Sequence, residues 1–269
     1  RGDSRKIDAK AARENAEKLA GNWSTSRRSF SNFLSITDLI GQTEIALGED
    51  GELVVPAMTG LDGQPRKWVA AGPMLWRDAN SHEMLGAKVV DGEAVRFSLG
   101  SIAPIIVWDR TPWYRDASWL LPLVYLSLAV LLLTVIFWPV RALVRRRYGS
   151  KLELERRELL AYRASRIGAV AILAVLIGWA VAISMMFENL NLLSSSIVPV
   201  IIILQILSII AFVGGLGVML WYAWTVWRRS GGWKATWKAK LWSVLLVISA
   251  LAVLWVGLLY HLVDITPNF

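Results

Sequence analysis

Four stretches of the 269-residue chain contain no Asp, Glu, Lys or Arg: Trp119 to Val140, Ile167 to Phe187, Ile197 to about Trp227, and Leu241 to Val263. An α-helix rising about 1.5 Å per residue needs about 20 apolar residues to cross about 30 Å of hydrocarbon. Each run meets that length, so four transmembrane helices are predicted. The composition agrees: 55% hydrophobic residues, 15 Trp and a mean hydropathy of +0.46. The third run exceeds the required length, so it tilts or continues into the interface, and "FVGGLG" from Phe212 offers a bend or a close approach by a neighbour.

The direction of the spans follows from where the basic residues lie. Residues 1–117 carry 15 Lys and Arg against 16 Asp and Glu, so the net charge of +8 arises entirely in the second half. There the connection Arg141 to Arg166 holds nine basic residues and Arg228 to Lys240 holds five, whereas Glu188 to Ser196 and the tail from Asp264 hold none. That asymmetry assigns the first and third connections to the cytoplasm and the N-terminal region and C-terminus to the other side. It also accounts for the basic excess without nucleic acid. Trp113 and Trp119 at one interface, and Trp221, Trp224, Trp227, Trp237 and Trp242 at the other, read as interfacial anchors. The first basic connection is expected to adhere to anionic lipid in general, at about 1 kcal/mol per basic residue near the surface, and otherwise to be a solvated loop selecting no particular lipid. Ala174, Gly178 and Ala182 form a small-residue stripe suited to internal helix packing or to a homo-oligomer. Only Gln205 is strongly polar deep in a span, which disfavours ion-coupled transport.

Ahead of the spans the pattern changes. Residues 1–21 read as a short exposed helix or linker, with Ile7, Ala11, Ala12, Ala16 and Leu19 as a weak stripe. Residues 22–111 read as a small antiparallel β-domain, a sandwich or partial barrel, built from "TEIAL", "ELVVP", "KWVAAGPMLWRD", "MLGAKVV", "AVRFSLG" and "IAPIIVWD", with Asp91-Gly92 marking a hairpin. Residues 112–269 form the four-helix transmembrane domain. The expected fold class is thus an α-helical membrane protein preceded by a short N-terminal helix and a small antiparallel β-domain.

Catalytic signals are sparse. Ser81, His82 and Glu83 are sequence neighbours, which does not make a triad, because the three roles need converging geometry. HExxH, P-loop, GxSxG and Ser-x-x-Lys patterns are absent from the sequence, and so is cysteine. No catalytic, cofactor-binding or metal-binding residue is assigned, and no cofactor is expected. The segment "SRRSFSNFL" from Ser26 has the look of a twin-arginine export signal, but Asp38, Gln42 and Glu44 interrupt the apolar run that such a signal requires.

Several segments together carry a resemblance: "LAGNWSTSRRSFSNFLSITDLIGQ" from Leu19, "DGELVV" from Asp50, "WVAAGPMLWRD" from Trp68 and "PWYRDASWLLPL" from Pro112. With the spans that follow, the chain resembles the C-terminal region of bacterial membrane-bound serine hydrolases of the β-lactamase-related, penicillin-binding-protein-like family. The resemblance implies a secreted acyl-enzyme hydrolase domain upstream, holding the nucleophile motifs that this sequence lacks, with the present segment as its membrane anchor. The placement of residues 1–117 outside, with no export signal of their own, carries the same expectation of an upstream portion. The expected partners are the lipid bilayer and that hydrolase domain, and the expected location is the bacterial cytoplasmic membrane. Arg27 and Arg28 are candidates for pairing with carboxylates of the β-region or for facing the hydrolase. Trp76, Trp113 and Tyr114 are candidate exposed contacts. The alternative is a non-enzymatic scaffold or receptor whose β-domain binds an envelope partner.

Overall fold

The computed structural model describes residues 9–48, 52–60, 63–103, 105–149, 155–189, 197–228 and 237–265. Two units emerge, one comprising Arg1–Phe30 with Ser35–Leu120 and the other Ser31–Leu34 with Leu121–Phe269.

In the first unit eight strands follow one another: β1 (Gly21–Thr25), β2 (Thr43–Leu47), β3 (Leu53–Thr59), β4 (Pro65–Gly72), β5 (Leu75–Asp78), β6 (Met84–Val90), β7 (Glu93–Leu99) and β8 (Trp108–Arg110). Each pairs antiparallel with the next, and β1 pairs with β8 through Trp23↔Arg110 and Thr25↔Trp108, closing the barrel. An eight-stranded barrel is just wide enough for side chains to fill its interior. Here Trp23, Trp68, Trp76, Phe97 and Trp108 belong to the buried core, with Ile45, Leu53, Val55 and Leu85. Phe97 stacks on Trp108 at 4.8 Å and meets Trp23 edge-on at 5.2 Å. Strict alternation would not bury both Ala94 and Phe97. A register shift pairs Lys88 with Arg96 but Val89 with Ala94, and this bulge turns both side chains inward.

The expectation of a small sandwich or partial barrel is therefore corrected to a closed eight-stranded antiparallel barrel. The reason is local in two places and long-range in one. "KWVAAGPMLWRD" folds into two strands, because Met74 takes a left-handed φ of 53° and turns the chain between β4 and β5. Among the described residues of the last segment only Trp108 and Asp109 are strand, which continues to Arg110, and "GNWST", not foreseen as one, supplies β1. The Asp91-Gly92 hairpin does form, with φ of 53° and 85° as a type I′ turn requires. Helix α1 (Ala9–Leu19) is more than an exposed linker: Ala16 and Leu19 are buried in the barrel core, and the Trp23 indole N–H donates to the Leu19 carbonyl at 2.9 Å. Helix α2 (Ile36–Gly41) lies between β1 and β2.

The second unit contains α3 from Leu121 onward (the helix spans Ala117–Arg147), α4 (Arg156–Glu188), α5 (Val198–Ser208), α6 (Gly214–Arg228) and α7 (Trp237–Leu259). A π-helical turn, Ile209–Val213, joins α5 to α6 just before Gly214 and Gly215, where the sequence suggests an irregularity. Among the described residues four helices are long and apolar enough to cross a membrane: Trp113–Arg147, Arg156–Glu188, Val198–Arg228 and Trp237–Leu259. This is the length and composition of a membrane-associated protein. Close packing of α4 on α6 depends on glycine, since a Cβ on Gly215 would lie 2.7 Å from Ile172 and one on Gly168 would lie 2.8 Å from Val218. In the expected small-residue stripe, Ala182 is buried and Gly178 abuts Leu204, but Ala174 is exposed. Phe33 packs on Trp179 at 5.0 Å, and the Trp179 indole N–H donates to Ser208 Oγ at 2.8 Å. Residues 1–8, 49–51, 61–62, 104, 150–154, 190–196, 229–236 and 266–269 lie outside the described residues, so parts of the expected linker, of the turn after Gly48, of the segment "IAPIIVWD" and of the connections and tail used for orientation fall there.

Candidate functional site

Arg27 and Arg28 follow β1 and are both engaged within the barrel unit. Arg27 donates from Nε to the Ile105 carbonyl at 2.9 Å. Arg28 donates from Nη1 to the Thr25 carbonyl at 2.7 Å, lies over the Phe30 ring and pairs with Asp38 at 3.7 Å. Asp38 is buried in the first turn of α2 and also accepts from Ser24 Oγ at 3.1 Å; Ser24 in turn meets Thr111 Oγ1 at 3.0 Å. Arg28 is thus part of a polar network around β1, while Arg27 is exposed and rests on the Ile105 carbonyl.

The three aromatic candidates separate. Trp113 is 76% exposed and edge-on to the exposed Tyr114 at 6.0 Å. Trp76 corrects the expectation of an exposed contact, for it is 1% exposed inside the barrel. Its strand, "LWRD", buries Trp76 and Asp78 on the same face, and that inward carboxylate is held by Ser81 Oγ and Arg66, which obscures the alternation in sequence. Ser81 thereby bonds Asp78 rather than His82, Glu83 accepts the Ser101 backbone N–H at 2.8 Å, and His82 is exposed. Among the described residues no group of three or more His, Cys, Asp or Glu side chains could hold a metal ion.

Sequence reasoning overlooked a clamp inside the barrel unit, which includes the first turn of α3. Asp116 precedes the helix and accepts the Ser118 N–H at 2.9 Å, as an N-cap does. The same Asp116 oxygen accepts from Asn22 of β1 at 2.6 Å. Gln42, at the end of α2, grips the backbone on both sides, donating to the Arg115 carbonyl at 2.7 Å and accepting the Ala117 N–H at 2.9 Å. Two amides from the barrel thus fix the first turn of the first span.

The second overlooked arrangement lies among the helices. Arg166, assigned by charge counting to the end of a solvated loop, is only 3% exposed in α4. Its guanidinium lies 3.8 Å from the Tyr162 ring centre and 4.6 Å from that of Tyr222. Nη1 donates to Ser165 Oγ at 2.7 Å and to the Tyr162 carbonyl at 3.4 Å. No carboxylate pairs with Arg166 among the described residues. Desolvating a cation costs several kcal/mol, against about 2 kcal/mol for a desolvated cation–π contact, so neutral partners offset only part of the penalty. The side chain lines a cavity of about 80 Å³ with Thr134, Trp138 and Arg141 of α3, Tyr162 of α4 and Trp242 of α7. Trp138 and Tyr162 also wall a larger groove of about 730 Å³ between α3 and α4, edged by Arg145 and Arg163.

No family model, curated protein or solved structure matches the chain. Function therefore has to be argued from these arrangements: a barrel that captures a preceding helix and grips the first span, and a buried cation beside an apolar groove. The signal that could have found the second was the aromatic spacing, with Tyr162 one helical turn before Arg166. Tyr222 could not have been found that way, being on another helix.

Proposed function

We propose that the chain anchors and positions an extracytoplasmic serine-hydrolase domain, attached ahead of α1, at the bacterial cytoplasmic membrane. The observation that carries this reading is mechanical. Helix α1 is fixed in the barrel core by Ala16 and Leu19, and the same barrel holds the first turn of the first span through Asn22 and Gln42. A domain joined to α1 would continue directly into the folded barrel unit, which includes the first turn of the first span. The nature of that domain rests on the resemblance to β-lactamase-related hydrolases. Holding an enzyme at a surface raises its local concentration toward membrane-associated substrates without any new contact. The basic residues of the first and third connections support an orientation with the barrel and C-terminus outside.

The alternative of a non-enzymatic scaffold draws on the exposed Trp113 and Tyr114, but no longer on Trp76. One experiment separates the two. Because residues 1–269 lack cysteine, Tyr148→Cys and Glu93→Cys each add one thiol at a known place, in the protein expressed from its whole reading frame with any cysteine elsewhere replaced by serine. With a membrane-impermeant thiol reagent on intact cells, Glu93→Cys should label and Tyr148→Cys should not; the reverse inverts the orientation. In the same cells an acylating serine-hydrolase probe should mark the protein. Lack of labelling, together with no Ser-x-x-Lys domain ahead of α1, would leave the scaffold.

A further inference from the structure

We infer that the space between α3 and α4 binds an anionic glycerophospholipid, its phosphate held by Arg166 and Arg141 and its acyl chains lying along the groove. This goes beyond the anchoring role, which requires only that the helices be apolar.

Arg166 is buried, carries a fixed positive charge and meets two aromatic rings, a hydroxyl and a carbonyl, but no anion among the described residues. Both of its hydrogen bonds leave from Nη1, so Nε and Nη2 remain for a further acceptor. A planar guanidinium matches two phosphate oxygens at once, and such charge-assisted bonds are about twice as strong as neutral ones. Arg141 lines the same cavity from α3 and supplies a second cation. The acidic residues at the start of α4 do not compete: Glu155 and Glu158 are engaged in a capping box at the helix N-terminus.

Shape then selects a lipid over a free anion. Cavity and groove adjoin at Trp138 and Tyr162, which line both, so a headgroup at Arg166 with acyl chains in the groove would straddle these two side chains. Val135, Pro139, Leu159 and Val170 make the groove apolar over most of its lining, while Arg145 and Arg163 add positive charge. Inorganic phosphate would leave that apolar surface unused. A zwitterionic lipid would bring its own cation toward four arginines. The location also fits, because Trp138 and Trp242 stand where apolar helix gives way to basic residues, which is the level of a headgroup.

The test uses the full chain in a neutral detergent, with native mass spectrometry and thermal unfolding after addition of phosphatidylglycerol, phosphatidylcholine or inorganic phosphate. Phosphatidylglycerol should be retained about tenfold more tightly than phosphatidylcholine and should raise the unfolding temperature where inorganic phosphate does not. Arg166→Gln and Arg166→Lys should each remove that preference, the second because an ammonium keeps the charge but loses the fork. Should Arg166→Gln fail to fold, two surface variants decide. Arg141→Gln should weaken phosphatidylglycerol retention about tenfold, and Ala142→Trp, which obstructs the groove, should weaken both lipids. Equal retention of the two lipids, protection by inorganic phosphate as strong as by phosphatidylglycerol, or unchanged retention in Arg141→Gln and Ala142→Trp would each overturn the proposal.

Discussion

Tryptophan and arginine take opposite parts in the two units. In the barrel, Trp23, Trp68 and Trp76 are buried to within 1% of full enclosure, whereas Trp224, Trp227 and Trp237 of the helical unit are each more than half exposed. The half-buried Arg28 of the barrel unit faces the buried carboxylate of Asp38; the buried arginine of the helices, Arg166, faces rings and neutral oxygens. A barrel in water gains stability by turning its aromatic residues inward. A helix among lipids has less such incentive: Trp179 packs inside, while Trp224, Trp227 and Trp237 stay exposed near the ends of their helices. A cation already matched by a carboxylate is a structural element, while one matched only by neutral groups still favours an anion.

The largest expected effect separates the two sets of indoles. Trp68→Ala should destabilise the barrel by about 3–5 kcal/mol, since it empties space in a filled interior. Trp224→Ala should change unfolding by no more than about 0.5 kcal/mol, as other exposed positions do. Denaturant unfolding of the two variants in the same detergent makes the measurement, and equal losses would erase the contrast.

The arginines come next. Arg28→Met should cost about 3 kcal/mol, because it leaves Asp38 buried without its cation, and adding Asp38→Leu should recover most of that loss. Arg166→Met in detergent free of anionic lipid should stay within about 1 kcal/mol of the parent, because the relief of desolvation offsets the lost ring contacts. If the two single variants suffer alike, Arg166 has an anionic protein partner after all.

Helix packing supplies a smaller effect. Gly215→Ala should destabilise the helical unit by about 1–3 kcal/mol, since its Cβ would enter the space of the Ile172 side chain. Gly63→Ala, at a left-handed turn of the barrel with open space around it, should cost about 1 kcal/mol through backbone strain alone. Thermal unfolding of both variants tests that ordering.

What could be read from the sequence divides along the same line. The uncharged runs identify the spans because hydrocarbon excludes charge residue by residue, and Asp91-Gly92 marks its hairpin because a type I′ turn is set by two residues. Barrel closure could not be read, since it depends on Trp23 meeting Arg110 across the length of the unit. Trp76 was misplaced because Asp78 shares its inward face, and a buried carboxylate breaks the polar-out pattern. The clamp at Asp116 and the surroundings of Arg166 escaped for a related reason. Asn22, Gln42 and Tyr222 are ordinary residues until the fold brings them to their partners.

The smallest expected effect concerns a carboxylate of the barrel that is matched by hydrogen bonds. Burial pushes the Glu83 carboxyl up, but hydrogen bonds from Ser101 and the Met84 backbone, with Arg66 nearby, outweigh it and hold the pKa below its ordinary value of 4.5. A carboxylate whose pKa is lower folded than unfolded adds stability above the unfolded value, and that contribution fades as pH falls through the folded one. Glu83→Gln keeps an acceptor for the Ser101 N–H but cannot titrate. The unfolding temperature of the parent should therefore lie slightly above that of Glu83→Gln near neutral pH, and the gap should narrow as pH drops below about 4.5. A gap that stays constant down to the acid limit would mean that the Ser101 contact, and not the charge it stabilises, is what Glu83 contributes to the barrel.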